Sequence, residues 1–145
     1  MSHYSLSAFV AHTADAERIG SEDVQNLQRT ILPDGVMSRE DAELLIALDR
    51  AVSDKDPAWA EFLVEAIVAF TVWTSRPTGY VDADTARWLV GSLDYGPGPT
   101  ETAKRIAFEV VREAERVDEA LLIFVLRTPQ NALGRLPKPR SERVA

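Results

Sequence analysis

The stretch that most constrains this chain runs from Asp56 to Pro77, because both its end signals and its composition indicate a buried helix. Asp56 suits an N-cap and Pro57 the first helical position, where a missing N–H costs nothing. Pro77 predicts the end, since it disfavours helical geometry in the residue before it. Apolar residues between these signals cover nearly the whole circumference, and only Glu61 and Glu65 interrupt them. Such a helix belongs inside a bundle. Its predicted core face consists of Trp59, Phe62, Leu63, Ala66, Ile67, Phe70 and Trp73.

The remaining segments predict further helices around this one. Apolar residues recur at helical spacing after Ser38, after Asp82 and from Thr100 to Glu115. A last segment, from Asp118 to Arg127, is apolar enough that we expect it to be buried. We favour a break at Val117-Asp118 between the last two segments. No segment alternates with period two between hairpin turns, so the fold class is all-α, a compact bundle of about six to seven helices.

Two segments of the chain resemble each other and indicate an internal duplication. Residues 33–46 align without gaps with residues 77–90, which begin 44 positions later. Both copies share a Pro-x-Gly turn, two apolar residues, a Ser or Asp cap, and an apolar helix start. Each copy lies between an apolar helix and an amphipathic one.

Composition and charge limit the function classes. The chain has 145 residues, no Cys and only two His, so thiolate zinc sites, disulfides and schemes with a central imidazole are disfavoured. The net charge is −7, of which residues 128–145 contribute +3. Residues 1–127 therefore carry −10, which argues against nucleic-acid binding by the body. We expect a single domain over residues 21–127, a leader over 1–20 with room for a short helix, and a disordered basic tail over 128–145. With neither a secretory signal nor a run of the roughly 20 residues that span a membrane, the expected location is the cytoplasm.

The Pro-Asp-Gly turn invites comparison with an EF-hand loop. With Gly35 at the invariant glycine position, Thr30 and Leu32 occupy two positions that normally hold calcium ligands. The second copy offers Thr74, Arg76 and Thr78 instead of acids. Because calcium needs six or more oxygen ligands, high-affinity EF-hand binding is disfavoured, and capped helix starts packed side by side are the favoured interpretation.

The segment from Asp34 to Asp41 (Asp-Gly-Val-Met-Ser-Arg-Glu-Asp), repeated more loosely at Thr78 to Thr85, resembles the Asp-Gly-x-apolar-Ser-x-x-acid signature of TerB-like (tellurite-resistance) domains. The resemblance covers about residues 20–127. It implies a compact all-helical domain in bacterial metal or chemical-stress response that acts through partners rather than by catalysis. It also implies a divalent metal ion, calcium or another, held by acids of the turns, and only Asp34 and Asp41 match those positions. No other cofactor is implied.

Other residues suggest additional sites. Glu61 and Glu65, one helical turn apart, are candidate paired carboxylates or metal ligands, although such acids more often pair with an arginine, here Arg29, Arg50 or Arg87. Tyr80 and Trp88 are candidates for a partner-binding or dimer surface, where aromatic residues are enriched.

Three functions remain open at this point. The first is a TerB-like non-enzymatic module that binds a protein partner or a metal ion, with an acidic patch where the Asp-Gly turn meets Glu61 or Glu65. The second is a structural homodimerising domain without metal. The third is a small hydrolase or lyase that uses Glu65 with Asp34 or Asp84, which requires these carboxylates to converge.

Overall fold

Seven α-helices form most of the part of the chain that the structure describes. A computed structural model describes residues 2–74 and 77–128, without the side chains of residues 2–5. The helices are α1 (Ser2–Ala16), α2 (Ser21–Asn26), α3 (Arg39–Ala51), α4 (Pro57–Val68), α5 (Ala83–Leu93), α6 (Glu101–Glu113) and α7 (Glu119–Arg127). Two π-helical segments, Leu27–Ile31 and Ala69–Thr74, continue α2 and α4. The predicted all-α bundle of about six to seven helices is confirmed. The favoured break before α7 is confirmed as well, since the Asp118 side chain caps that helix.

In the described part of the chain, four strands of two residues each join the helix starts in pairs. They are β1 (Arg18–Ile19), β2 (Asp54–Lys55), β3 (Tyr80–Val81) and β4 (Arg116–Val117). β1 pairs in parallel with β2, and β3 with β4. The N–H of Asp56 donates to the Ile19 carbonyl at 2.8 Å, and that of Asp118 donates to the Val81 carbonyl at 2.9 Å. Each pair therefore places the first turns of two helices side by side. Strands this short leave no alternating pattern in a sequence, so they were not predicted.

A structural repeat with an offset of 62 residues organises the bundle. Adding 62 to the residue numbers of β1, α3 and β2 gives the bounds of β3, α6 and β4. The N-caps also correspond, since Ser38 and Thr100 each accept a hydrogen bond from the backbone N–H three residues ahead. Each unit therefore consists of a helix, a strand, two helices, a strand and a closing helix. α4 closes the first unit and opens the second, so it belongs to both.

The two Pro-x-Gly turns agree locally but do not occupy equivalent places in this repeat. Gly35 and Gly79 both have φ of +85°, and the helices that follow start at Arg39 and Ala83, which keeps the predicted spacing of 44 residues. The first turn, however, lies inside the first unit between α2 and α3, whereas the second leads out of the shared helix into β3. The resemblance between the two segments therefore reflects two similar helix starts, those of α3 and α5, and these two helices pack against each other.

The central helix forms as predicted in its first part and differs in its last. Asp56 caps it, Pro57 stands at its start, and the Trp59 side chain is 0% exposed in the core. The π-helical segment takes more residues per turn than an α-helix, which rotates the side chains that follow relative to α-helical spacing. As a result Thr71 and Val72 are buried, and Trp73, predicted as core, is 47% exposed.

The N-terminal leader is part of the bundle. α1 covers the predicted short helix and packs on α3, which buries Leu6 and Phe9 in the same core as the central helix. The helical body therefore extends to the N-terminal side of the predicted boundary at residue 21. Of the predicted tail, residues 128–145, only Thr128 is described, and the remainder lies outside the described residues.

One helix in the described part is long and apolar enough to cross a membrane by length and composition alone. It is the continuous helix Pro57–Thr74, with 18 residues and a mean hydropathy of 1.2. Its buried side chains Trp59, Leu63 and Ile67 belong to the core of the bundle, which is also what a core helix of a folded domain shows. The predicted cytoplasmic location stays a prediction.

Candidate functional site

The four predicted metal ligands lie on different elements. Asp34 is exposed in the first Pro-x-Gly turn. Asp41 is buried in the first turn of α3, where its backbone N–H donates to the Ser38 hydroxyl at 3.1 Å. Glu61 and Glu65 are exposed on α4 and line a groove against α6.

The structure does not gather these acids into one site. Among the described residues, no group of three or more His, Asp or Glu side chains is placed to hold a metal ion. Neither Asp34 nor Asp41 is among the described residues that line the groove of Glu61 and Glu65, so these four acids do not share one surface depression. A divalent metal ion as cofactor stays a prediction.

Glu61 and Glu65 instead belong to a groove of about 490 Å³ between α4 and α6, named here the acidic groove. Its residues are Glu61, Val64, Glu65, Val68, Ala69, Trp73, Arg105, Glu109, Arg112 and Glu113. The Arg105 guanidinium approaches the Glu61 carboxylate at 3.8 Å, and Arg112 pairs with Glu109 at 2.9 Å. The expectation that arginine pairs with the central-helix acids is thus met for Glu61 by Arg105, not by the predicted Arg29, Arg50 or Arg87.

The carboxylates of the hydrolase or lyase hypothesis occupy separate places. Glu65 lines the acidic groove, and neither Asp34 nor Asp84 is among the described residues that line it. The Asp84 carboxylate instead accepts a hydrogen bond from Arg39 at 3.0 Å, between the starts of α3 and α5. The convergence that the hypothesis requires is not found among these side chains.

A second groove, of about 410 Å³, lies between α3 and α5 and is named here the aromatic groove. Its residues are Glu43, Ala47, Arg50, Arg87, Trp88, Gly91, Ser92 and Tyr95. Ala47 and Gly91 leave its floor open, since a Cβ added to Gly91 would meet nothing within 4 Å. Trp88 and Tyr95 flank this floor, and Tyr95 is 69% exposed. The volume falls within the range of ordinary ligand pockets.

Polar contacts between α3 and α5 fix the walls of the aromatic groove. The Trp88 indole N–H donates to the Glu43 carboxylate at 2.7 Å, and the Arg39 guanidinium lies 5.0 Å from the centre of the Trp88 ring. The Arg50 guanidinium lies 5.2 Å from the centre of the Tyr95 ring and donates to the Ser92 carbonyl at 3.4 Å. Each aromatic ring is therefore held by an arginine, an arrangement that adds electrostatic attraction to packing.

The two predicted partner-binding residues are on separate surfaces. Trp88 lines the aromatic groove, whereas Tyr80 is in β3 beside Arg116 of β4, in a different depression. Tyr95 was not predicted, although a tyrosine next to the Gly96-Pro97-Gly98-Pro99 connection is a signal for an exposed aromatic side chain. The start of α5 is set by Asp82, whose side chain accepts from the Thr85 N–H at 2.9 Å. That backbone hydrogen bond holds the pKa of the Asp82 carboxyl below its ordinary value of 3.8.

A buried carboxylate connects three elements beneath these surfaces and was also missed. Asp49 is 2% exposed. It accepts hydrogen bonds from the Trp59 indole N–H at 2.9 Å, the Thr100 hydroxyl at 2.6 Å and the Lys55 ammonium at 3.1 Å. The signal in the sequence was its place four residues after Leu45, on the apolar face of α3. The Asp49 cluster, Asp49 with Lys55, Trp59 and Thr100, ties α3, β2, α4 and the start of α6 together.

Comparison with known proteins does not identify a family for this chain, so the functional conclusion rests on the two grooves. No protein-family profile, curated protein or solved structure matches the chain. The resemblance to TerB-like domains therefore stays a prediction, as does the stress setting that it implies.

Proposed function

We propose that the protein is a non-enzymatic interaction module that binds an acidic segment of a protein partner in the aromatic groove. The observation that carries the proposal is the pair of aromatic walls, Trp88 and Tyr95, on either side of the open floor at Gly91. Aromatic residues and arginine are the side chains most often found at binding hot spots.

The charge of this groove supports an acidic occupant. Arg87 is exposed at its edge and makes no ion pair with another described residue, so its guanidinium is available to a carboxylate. Arg50 lies against Tyr95 on the same wall. On a body that carries −10, two arginines beside one glutamate, Glu43, make a local positive surface. An apolar side chain over Gly91 and a carboxylate on Arg87 would complement it.

The use of polar side chains elsewhere supports a non-enzymatic role. Ser38, Asp82 and Thr100 cap helices, and Asp84 pairs with Arg39. Each of these side chains has a role in the fold, and none of them requires a catalytic explanation.

A displayed peptide library, selected on the immobilised full-length protein, tests the proposal. We expect the selected peptides to combine acidic residues with an apolar one and to bind in calorimetry. Tyr95→Ala and Arg87→Glu should each weaken that binding about 5- to 30-fold, the range of hot-spot substitutions of 1–2 kcal/mol. Arg112→Glu, in the acidic groove, is the matched control and should leave it unchanged.

Three results would overturn the proposal. They are the selection of basic peptides, equal binding by the Tyr95→Ala variant, and a self-associating protein in light scattering whose dimer is broken by Tyr95→Ala. The last result would support the homodimer. The metal-ion alternative has its own test, because an ion that binds only the native state raises the melting temperature with its concentration. Calcium, magnesium, manganese and zinc are the ions to titrate.

A further inference from the structure

The acidic groove carries charge that its own arginines do not balance. Four carboxylates line it, of which Glu61 faces Arg105 and Glu109 faces Arg112. Glu65 and Glu113 make no ion pair with another described residue. The groove therefore carries a surplus of two negative charges beside an apolar floor.

The floor and one end of the groove are suited to apolar side chains. Ala69 is exposed and Trp73 is 47% exposed, so these two side chains supply open apolar surface to the groove, whereas Val64 and Val68 are buried. An occupant that matches this surface needs basic residues next to apolar ones. The amphipathic stems of arginine and lysine can cover such apolar surface while their charged ends pair with carboxylates.

The chain itself contains a segment of this kind. Residues 129–145 carry Arg135, Lys138, Arg140 and Arg143 against Glu142. Leu133 and Leu136 stand at the start of this basic run. The charge of the segment is thus opposite to that of the groove.

The place where the described chain ends puts the groove within reach. The guanidinium of Arg127, at the end of α7, lies 3.9 Å from the carboxylate of Asp94, at the end of α5. These residues are on the side of the bundle where α6 begins. The groove starts at Arg105, about one turn into α6. Seventeen extended residues reach at most about 55 Å, whereas the groove follows α6 for only about 12 Å from Arg105 to Glu113.

We propose that residues 129–145 bind the acidic groove of the same molecule. The basic residues of the segment are complementary in charge to Glu65 and Glu113, and its two leucines are complementary to the exposed apolar surface of Ala69 and Trp73. A tethered segment has an effective concentration in the millimolar range, so even a weak site is occupied in this way. A partner with a basic segment must displace residues 129–145 to use the same groove.

A spin label on the full-length protein tests this contact, and the absence of native cysteine allows labelling at one position. Ser141→Cys carries a nitroxide, and paramagnetic broadening of backbone amide signals is measured by NMR. We expect broadening at residues 61–69 and 105–113 and none in the aromatic groove. At about 1 M salt, where the Debye length is only about 3 Å, the broadening should be lost.

Charge-removing variants give the matched comparison. Glu65→Gln with Glu113→Gln should reduce the docked population three- to tenfold, the scale of two exposed ion pairs. Glu22→Gln with Glu40→Gln removes the same charge from exposed positions outside the groove and should leave the broadening unchanged. Equal loss in both double variants would mean a non-specific effect of net charge and would overturn the proposal.

Three further outcomes would also contradict it. Broadening centred on the exposed residues of α7, Leu122, Ile123 and Leu126, would place the segment elsewhere. Broadening in a mixture of isotope-labelled protein and separately spin-labelled protein would show binding to a second copy. Uniformly sharp amide signals at low salt would mean that no docking occurs.

Discussion

Replacing Asp49 is expected to destabilise this protein more than replacing any exposed acid. The Asp49 carboxylate is 2% exposed and accepts three hydrogen bonds, from Trp59, Thr100 and Lys55. In Asp49→Ala the Trp59 indole N–H, fully buried, loses its acceptor, and the Lys55 ammonium keeps only the Asp49 backbone carbonyl at 2.7 Å. Removing one partner of a buried ion pair costs about 3–5 kcal/mol, because the other charge is left uncompensated.

The magnitude can be bounded from both sides. Lys55 is 19% exposed at its side chain, so water relieves part of the penalty and places the expected loss near the lower end, about 3 kcal/mol. The orphaned indole N–H alone accounts for about 1–3 kcal/mol of that loss. Asp49→Asn retains one acceptor oxygen and the shape of the side chain, so a smaller loss of about 1–2 kcal/mol is expected.

Urea unfolding, followed by circular dichroism and by tryptophan fluorescence, measures these differences. Asp54→Ala is the matched control, because Asp54 is largely exposed and only 3.7 Å from the exposed Arg18, a type of pair worth about 0–1 kcal/mol. If Asp49→Ala and Asp54→Ala lower the free energy of unfolding equally, the Asp49 cluster does not hold the bundle as described. In a double-mutant cycle with Trp59→Phe, a coupling energy near zero would refute the indole hydrogen bond in particular.

Three smaller perturbations test other local features by thermal or urea unfolding. Gly35→Ala should lower the free energy of unfolding by about 1 kcal/mol, because φ is +85° and an added Cβ would meet no atom within 4 Å, so only the backbone conformation is strained. Gly91→Ala lies inside α5 with open space around it and should raise the free energy of unfolding by about 0.5–1 kcal/mol. A change of the same sign for both variants would contradict the conformational argument. Thr71→Val should stabilise by about 1 kcal/mol, since the buried Thr71 hydroxyl has no hydrogen-bond partner among the described residues, and a fall in melting temperature would show that it is satisfied. The pKa of Asp82 is lowered on folding, so its contribution to the free energy of unfolding is complete above the ordinary value of 3.8 and is lost as the pH falls through the lower folded-state value. Asp82→Asn should remove this loss of stability in acid while still capping α5 at neutral pH. Asp82→Ala should lower the free energy of unfolding by about 1 kcal/mol at neutral pH.

The features predicted correctly from sequence are those that depend on neighbours along the chain. Asp56, Asp82 and Ser38 were recognised as caps because a cap accepts from N–H groups two or three residues ahead, within the same short window. Pro57 was recognised for the same reason. The buried face of the central helix followed from α-helical spacing for as long as the helix stayed α-helical, and the prediction failed at Trp73, where the π-helical turn changed the spacing.

The features that were missed depend on elements distant in sequence. Asp49 is needed because Thr100 arrives from the start of α6, 51 residues away. Tyr95 flanks a groove only because Arg50 of α3 lies against its ring. The predicted metal ligands failed to converge for the same reason, because Glu61 and Glu65 face α6 while Asp41 starts α3. A pattern within one segment identifies a candidate side chain, but only the packing of several segments decides what that side chain meets.

The 62-residue repeat explains why one apolar helix, α4, is covered on both sides and why another apolar helix, α7, is not fully buried. α4 serves two units, so α2 and α3 cover one side of it and α6 covers the other. At the equivalent position α7 closes the second unit and packs on α5 and α6, and no described helix covers its other side. Val64 of α4 is therefore 6% exposed, whereas Leu126, its equivalent 62 residues later, is 81% exposed. The sequence predicted burial for both segments, because an apolar circumference records only that a helix can be covered on both sides. Whether the helix is covered on its second side depends on the presence of a following unit, which the sequence of the helix itself does not show.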